Sequence, residues 1–212
     1  MPKTMLIHAL KTASLLIVFC IAGTWLLAYI YATTLAPIAK SEAEARLSLF
    51  RQIVPDSIHD NDLLKDTIRV DPDVLLGNKE PIEINRAKIN NKPAAVILEA
   101  IAPDGYSGDI KLLIAIRADG ALSGVRVLAH KETPGLGDYI DILRGNWIKQ
   151  FDNESLTKTA LPLWHVKKDD GKFDYMAGAT ITPRAVVKAV AKALQYFQIN
   201  KTKLFAEATV QQ

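Results

Sequence analysis

The sequence predicts an α+β protein, in which one N-terminal transmembrane helix precedes a single domain with an antiparallel sheet and a C-terminal helix. Three features predict this class: a long apolar run near the N-terminus, short strand-like segments in the middle, and a helix-periodic segment near the C-terminus. No internal repeat is visible, and strands do not alternate with helices as βαβ units would require. The predicted parts are a tail at 1–11, a membrane helix at 12–34, a helical connector and linker at 35–65, and the domain at 66–212.

The apolar run makes the chain more hydrophobic than a typical soluble domain. Lys11 and Lys40 are separated by 28 residues without an Asp, Glu, Lys, Arg or His. About 20 helical residues, rising about 1.5 Å each, cross the ~30 Å hydrocarbon core of a bilayer. A cleaved signal peptide is the alternative, but its apolar region is typically about 7–15 residues long and ends at a small-residue cleavage site, which 32–37 does not resemble. The run therefore predicts a retained anchor. Three aromatic residues suit a membrane interface: Trp25, Tyr29 and Tyr31.

The charges on either side of the run predict its orientation. Lys3 and Lys11 precede it without an acidic partner. The four charged residues that follow it sum to zero: Lys40, Glu42, Glu44 and Arg46. Because basic residues are enriched on the cytoplasmic side of membrane helices, we expect the N-terminus in the cytoplasm and the domain on the other side.

The rest of the composition excludes several classes of function. Residues 40–212 contain 24 basic and 23 acidic residues, so no nucleic-acid partner is expected. Cys20, the only cysteine, lies inside the apolar run, which leaves the domain without disulfides or thiolate metal ligands. The four histidines are too dispersed to predict a metal site: His8, His59, His130 and His165.

Short strand-like segments fill the middle of the chain. The last two flank Asp119-Gly120, a dipeptide typical of tight hairpins, so the sheet is expected to be antiparallel. Before them, 35–54 has a helical pattern, which we expect to continue the membrane helix after a bend at Pro37. Pro55-Asp56 then predicts a linker or loop. The predicted strands are 67–70, 82–87, 94–101, 110–117 and 122–128.

The C-terminal helix has the clearest periodicity of the domain. Its start is predicted from Thr182, a preferred N-cap residue, and from Pro183, which suits the first helical position. Apolar side chains recur at helical spacing along it: Val186, Val190, Ala193, Leu194 and Phe197.

The segment just before this helix could carry chemistry. Gly178 and Ala179 leave room for a bulky group, and Thr180 supplies a hydroxyl. A phosphate on Thr180 would lie near the helix N-terminus, where an anion is stabilised by typically about 0.3–1 kcal/mol. Alone, Gly-Ala-Thr is more often a tight turn into a capped helix.

Two upstream segments add context. Residues 132–137, Glu-Thr-Pro-Gly-Leu-Gly, follow a strand and combine an unusual backbone with one apolar side chain, so this loop could cover a flat ring. Gly105-Tyr106-Ser107-Gly108 precedes another strand. Taken singly, the first is an ordinary strand-to-helix connection and the second a plain turn.

Together and in this order, these segments and the single N-terminal span resemble the FMN-binding G subunit of the Rnf ion-translocating electron transport complex. The resemblance covers essentially the whole chain. The family attaches FMN through a phosphoester to the last residue of Asp-x-x-Ser/Thr-Gly-Ala-Thr, which corresponds here to Asp174, Gly178, Ala179 and Thr180. Ala177 departs from the Ser/Thr position and removes a hydroxyl, but not the acceptor.

The resemblance implies a redox carrier in a bacterial inner-membrane complex, an ion-translocating ferredoxin/NAD oxidoreductase, with its domain in the periplasm. Its partners would be the other Rnf subunits and a magnesium-dependent flavin transferase that installs FMN from FAD. No catalytic residue is expected. We expect Thr133 and Leu136 to contact the ring, Gly135 and Gly137 to shape the loop, and Asp174 to serve in recognition or orientation during attachment. Glu132 is also assigned to the cofactor site.

Three alternatives stay open. The C subunit of the sodium-translocating NADH:quinone oxidoreductase shares these motifs but is usually longer. A stand-alone exported flavoprotein would use the same site with other partners. A non-redox assembly or scaffold protein, a different class, would use the anchor and the helix only for docking.

Overall fold

The computed structural model of the chain describes residues 2–206, with side chains from residue 5 onward. Met1, the side chain of Lys3 and residues 207–212, which belong to the predicted tail and domain, lie outside the described part. The chain divides into two compact units, Met1–Arg46 and Leu47–Gln212.

The first unit belongs to helix α1, Pro2–Ile53, and residues 5–32 of this helix are exposed to solvent along their whole length. Of the described helices, this one alone is long and apolar enough to cross a membrane, judged by length and composition. Pro37 lies inside α1, and the helical assignment continues through it to Ile53. The helical pattern predicted up to residue 54 is therefore one helix with the predicted membrane segment.

The second unit is built on a five-stranded antiparallel sheet in which each strand pairs with the next along the chain. All five predicted strands are present, and four of them extend beyond the predicted ends. The Asp119-Gly120 hairpin forms as expected, with the Gly120 N–H donating to the Arg117 carbonyl at 2.8 Å. The strands are β1 Thr67–Val70, β2 Ile82–Ile89, β3 Lys92–Gly105, β4 Gly108–Arg117 and β5 Leu122–Ala129.

Helix α2, Ile181–Phe205, covers one face of this sheet. Leu98, Leu112 and Ile114 point to that face and pack with Val190 and Phe197 of α2. Because side chains alternate along a strand, the intervening residues of β3 and β4 point to the other face. Both faces are covered, which explains why these strands are almost continuously apolar.

The other face is covered by the last turns of α1. Phe50 and Ile53 are almost fully buried, and they pack with Ile97 and Leu113 of the central strands. Gly124 of β5 allows this contact, since a Cβ there would lie 2.9 Å from the Ile53 side chain. The final part of α1 thus belongs to the domain core.

Between β5 and α2 the chain forms 3-10 turns and loops. Phe151, Trp164 and Phe173 form a small aromatic core here, with Phe173 centred 4.9 Å from each of the other two rings. The buried Glu154 carboxylate accepts hydrogen bonds from Lys158, Lys172 and Thr159, which ties two loops together. The 3-10 turns are Asp138–Ile140, Trp147–Phe151, Leu161–Leu163 and Lys167–Asp169.

Candidate cofactor site

A cavity of about 290 Å³ lies at the N-terminal end of α2. It is formed by the turn between β3 and β4, the loop after β5 and the segment that leads into α2. These are the three segments that the sequence singled out, and most of the predicted site residues meet here. Gly135 and Asp174 do not line the cavity. The lining residues are Tyr106, Glu132, Thr133, Leu136, Gly137, Gly178, Ala179, Thr180, Ile181 and Thr182.

Thr180 occupies the N-cap position of α2, but it does not cap the helix. Its backbone has φ −83° and ψ −26°, which is helical, whereas a capping residue normally has extended angles. Its hydroxyl makes no capping hydrogen bond. One of the usual donors is also missing, because Pro183, the third helical residue, has no N–H. The Thr180 hydroxyl is therefore left for another reaction or partner.

The prediction that Thr182 caps α2 is wrong, and so is the placement of Pro183 at the first helical position. The helix begins at Ile181, so Thr182 is its second residue. The Thr182 side chain is 1% exposed and donates its hydroxyl to the Glu132 carboxylate. A sequence pattern could not separate two threonines two residues apart, because both precede the same apolar periodicity.

Glu132 holds the three segments of the site together. It is 4% exposed, and its second carboxylate oxygen accepts the Ser107 N–H at 3.0 Å. Through these bonds it links the β3–β4 turn, its own loop and α2. Within residues 5–206, no lysine or arginine forms a salt bridge with this carboxylate. A buried carboxylate without a cation is costly, which makes Glu132 an unusual feature of the fold.

The loop at 133–137 requires its two glycines for different reasons. Gly135 has φ +76°, a conformation that other residues rarely adopt, although a Cβ there would have open space. Gly137 has an ordinary φ of −86°, but its Cβ would lie 2.8 Å from a Glu132 oxygen and 2.9 Å from the Thr182 hydroxyl. The loop leaves Leu136 48% exposed at the cavity, where an apolar side chain can cover a flat ring.

The segment that leads to Thr180 is fixed by side chains from 139–150, which the sequence did not identify as part of the site. The Trp147 indole donates to the Asp174 carbonyl at 2.7 Å, and the Gln150 side-chain oxygen accepts the Asp174 N–H at 2.8 Å. The Tyr139 hydroxyl accepts the Met176 N–H at 3.2 Å. Burial raises the pKa of the Tyr139 phenol, although that hydrogen bond opposes it, so the phenol stays neutral.

The Trp147 side chain also packs against other aromatic rings of the domain. Its ring makes edge contacts with Tyr139 and Phe151, at centroid distances of 5.6 and 5.5 Å. The hydrogen bond from Trp147 to the Asp174 backbone was not predicted. A 3-10 turn has no helical or strand period, so only the Trp-x-x-Gln spacing could have suggested that both side chains reach one neighbour.

The Asp174 carboxylate faces solvent and pairs with Lys167 at 2.5 Å, with both side chains more than half exposed. It therefore lies on the surface beside the cavity and not inside it. Gly178 has φ +88° and open space around a hypothetical Cβ, so the chain turns into the cavity without steric cost. Ala177 is exposed.

A larger cavity of about 610 Å³ runs along the side of α2 and shares Ile181 with the site. Two of its cations are engaged within the chain, since Arg184 pairs with Asp169 and Lys188 pairs with Asp104. Neither Thr180 nor the loops at 105–108 and 132–137 line this larger cavity. The smaller cavity is therefore the candidate site.

Known proteins resemble this chain over nearly its whole length. Residues 105–195 match the family described as FMN-binding domain, and residues 3–53 match the RnfG N-terminal region. The cavity residues all lie within the first match.

Curated relatives are described as the G subunit of an ion-translocating oxidoreductase complex. One from Pseudomonas aeruginosa is 46% identical over 93% of this chain and 92% of the relative. The relatives from Vibrio atlanticus and Shewanella baltica are each 43% identical to this chain over 93% of its length. The aligned region covers 94% of the first relative and 93% of the second. These relatives are G subunits, and not the C subunits considered as an alternative. The chain therefore belongs to the RnfG family, the G subunits of ion-translocating oxidoreductase complexes, and has an FMN-binding domain.

Proposed function

We propose that the chain is the electron-transfer subunit of an Rnf complex and carries FMN in a phosphoester bond to Thr180. The observation that carries this proposal is the Thr180 hydroxyl, which lines the cavity at the start of α2 and makes no capping hydrogen bond. An N-cap threonine that does not cap is unexpected if its role is structural. It is expected if its oxygen is esterified.

The residues present fit an FMN group. The first turn of α2 presents unsatisfied N–H groups and a partial positive charge to a phosphate on Thr180. The cavity, at about 290 Å³, is at the lower limit of the roughly 300–1,000 Å³ that ligand pockets occupy, so part of the cofactor would extend beyond it. Thr133 and Leu136 would hold the ring at the mouth, where Tyr106 is also exposed. Bound FMN supplies reversible electron transfer through its isoalloxazine ring.

Attachment would consume FAD as the donor, with Mg²⁺ and a separate flavin transferase. The Thr180 oxygen forms a bond to the FMN phosphorus, the phosphoanhydride bond of FAD breaks, AMP leaves and the hydroxyl proton is released. Asp174, on the surface beside the cavity, would serve in recognition of the acceptor. Gly178 and Ala179 would give the donor access to the backbone next to Thr180.

The protein's own residues would then keep the cofactor in place and control its surroundings. A covalent bond prevents loss of the cofactor to the periplasm. Permanent attachment is compatible with the function, because an electron carrier has no product to release. Leu136 would exclude water from one side of the ring, and Glu132 would place its carboxyl group nearby. The proposed periplasmic domain at 66–212 follows a cytoplasmic tail at 1–11, a membrane helix at 12–34 and a connector at 35–65.

The intact mass of the denatured chain tests the attachment. The chain is purified from cells that contain a flavin transferase. We expect the wild-type mass to exceed the sequence mass by one FMN moiety, and Thr180→Val to have the unmodified mass. Thr182→Val is the matched control, because it removes the neighbouring threonine hydroxyl and should retain the flavin. An unmodified wild-type chain would refute the proposal and would favour a non-redox scaffold.

The orientation requires its own test. The basic residues before the membrane helix motivate a cytoplasmic N-terminus. Protease added to spheroplasts should digest residues beyond Lys40. If digestion occurs only in inverted membrane vesicles, the proposed orientation is wrong.

A further inference from the structure

Three side chains from one short segment hold the backbone of the acceptor motif. Tyr139, Trp147 and Gln150, which we call the acceptor clamp, make hydrogen bonds of 3.2, 2.7 and 2.8 Å to main-chain groups of Asp174 and Met176. The clamp lies between β5 and the aromatic core, and Trp147 packs on Phe151 of that core. The motif is thereby attached to the buried aromatic core of the 130–180 region.

The three hydrogen bonds are not needed to satisfy buried main-chain groups. The side chains of Asp174, Tyr175 and Met176 are exposed, so water could hydrate the main-chain groups of this segment. Among the described backbone bonds, the segment has one internal tie, from the Ala179 N–H to the Met176 carbonyl at 3.1 Å. Without the clamp, several residues before Thr180 would sample many conformations, and an enzyme that acts on them would have to order them.

We propose that the acceptor clamp positions the motif for flavin attachment. Tyr139, Trp147 and Gln150 fix the backbone from Asp174 to Met176, so that the transferase meets Asp174 and Thr180 already in the geometry it binds. These are positioning residues, because they act through the backbone of the acceptor. The inference rests on the proposed attachment at Thr180 and adds what makes this chain a good substrate for it.

The clamp should act on binding and not on the chemical step. If its loss lowers the fraction of chains with a competent acceptor, the apparent affinity falls by the same factor. Removal of one hydrogen bond should then raise the KM for the acceptor about threefold to tenfold, with kcat unchanged. A change in the chemistry would instead lower kcat.

The experiment measures initial rates of flavin incorporation into the full-length chain in detergent. Purified flavin transferase, FAD and Mg²⁺ are supplied, and acceptor concentration is varied. Trp147→Phe keeps an aromatic ring against Tyr139 and Phe151 but removes the indole donor. Tyr139→Phe removes the hydroxyl that accepts the Met176 N–H. Gln150→Ala is a third variant at a half-buried position outside the aromatic packing, in case an aromatic substitution prevents folding.

Trp164→Phe is the matched control. Trp164 belongs to the same aromatic core, and its indole donates to the Thr159 carbonyl at 2.9 Å, but among the described residues its side chain makes no hydrogen bond to 174–180. It is 2% exposed, so its loss should destabilise the domain at least as much as Trp147→Phe does. Hydrogen exchange supplies a readout without the transferase, since the Asp174 and Met176 amides should exchange faster in the clamp variants alone.

The outcomes separate the two proposals. A raised KM in the clamp variants, with wild-type KM in Trp164→Phe, supports the inference. Equal KM values in wild-type and all three clamp variants overturn it while the attachment at Thr180 stands. A KM that rises equally in Trp164→Phe also overturns it, because stability would then explain the effect. A wild-type chain that accepts no flavin overturns both proposals.

Discussion

Glu132 and Glu154 are buried to the same extent, each 4% exposed, but their surroundings differ. Glu154 accepts bonds from Lys158 at 2.7 Å, Lys172 at 2.5 Å and Thr159 at 2.7 Å. Glu132 accepts a bond from a hydroxyl, that of Thr182, and one from a backbone amide. One carboxylate is paired with two lysines within the fold, and the other has only uncharged hydrogen-bond donors at the edge of the candidate site.

The difference indicates two uses of the same side chain. A buried charge that is paired and fully hydrogen-bonded can serve as a structural tie between loops. A buried charge without a cation costs stability, and a fold retains such a cost most readily where function requires it. Substitutions in and around the two carboxylates test this distinction, and the largest effect is expected at Glu132.

Removal of the Glu132 side chain should destabilise the domain most. In Glu132→Ala the buried Thr182 hydroxyl loses its acceptor, so we expect a loss of about 2–3 kcal/mol in unfolding free energy. Glu132→Gln keeps an acceptor oxygen and should lose only about 1 kcal/mol, but it removes the charge and should make the flavin midpoint potential more positive. Chemical denaturation and a spectroelectrochemical titration measure the two effects. If Glu132→Gln leaves the potential unchanged, the charge of Glu132 does not act on the flavin.

A methyl group at Gly137 should push Glu132 away from Thr182. The Cβ would contact both side chains at less than 3.0 Å, so Gly137→Ala should cost about 2 kcal/mol through overpacking. Gly135→Ala is the comparison, because it has open space and should cost about 1 kcal/mol through its positive φ alone. Gly137→Ala should also shift the flavin absorption spectrum. Equal spectra and equal stabilities in the two variants would contradict the two separate roles assigned to these glycines.

Substitution of Glu154 should affect stability but not the flavin. Lys158 and Lys172 are partly exposed and can be hydrated again, so Glu154→Gln should cost only about 1–2 kcal/mol. The flavin potential should match that of the wild type. A shifted potential would show that Glu154 is coupled to the site and would weaken the comparison.

The pH dependence of the unfolding free energy tests the structural role of Glu154, and the direction of the effect follows from the pKa of its carboxyl group. Burial acts to raise the pKa of Glu154, but the bonds from Lys158, Lys172 and Thr159 outweigh it and lower the pKa overall. A carboxylate with a lowered folded-state pKa stabilises the fold above its unfolded-state pKa, and this contribution is lost as the pH falls through the folded-state value. Unfolding measured from about pH 7 to about pH 3 should therefore show a smaller acid loss in Glu154→Gln than in the wild type.

The smallest effect on stability is expected at Leu136. Its side chain is half exposed, so Leu136→Ala should change the unfolding free energy by less than about 1 kcal/mol. The FMN should stay covalently bound, but its spectrum and midpoint potential should shift because water gains access to the ring. Leu143→Ala is a control at a side chain that is 86% exposed and does not line the cavity. If Leu136→Ala and Leu143→Ala behave alike, the loop does not cover the ring.

The sheet and α2 could be predicted from the sequence because short strand-type segments are bounded by turn residues and the apolar residues of α2 recur at helical spacing. Strand-type segments of four to eight residues between turn residues located each strand, and Asp119-Gly120 predicted the hairpin. The end of α1 was identified as helical, but nothing in its pattern revealed that Phe50 and Ile53 belong to the core. That requires knowledge of which sheet face lacks a cover, which is a tertiary property.

The site could be predicted only in part. Short motifs predicted which loops meet, and the structure brings Glu132, Leu136 and Thr180 to one cavity. The acceptor clamp was missed because it consists of side chains in 3-10 turns that bind a distant backbone. The cap assigned to Thr182 was wrong because capping depends on backbone angles, and the sequence contains two suitable threonines.

Helix α1 contains the apolar run and also contributes its last residues to the domain core, and this limits where a protease can cut without damaging the domain. Phe50, Ile53 and Val54 close one face of the sheet, although they belong to or directly follow the helix that contains the long apolar run. A protease that cuts before Leu47 would release a domain with both cores complete. A cut after Val54 would leave Ile97 and Leu113 uncovered, and the released fragment would present the exposed apolar surface that quality-control proteases and chaperones bind. Shedding of an intact flavin domain therefore depends on cleavage within a window that ends about two helical turns before the helix does.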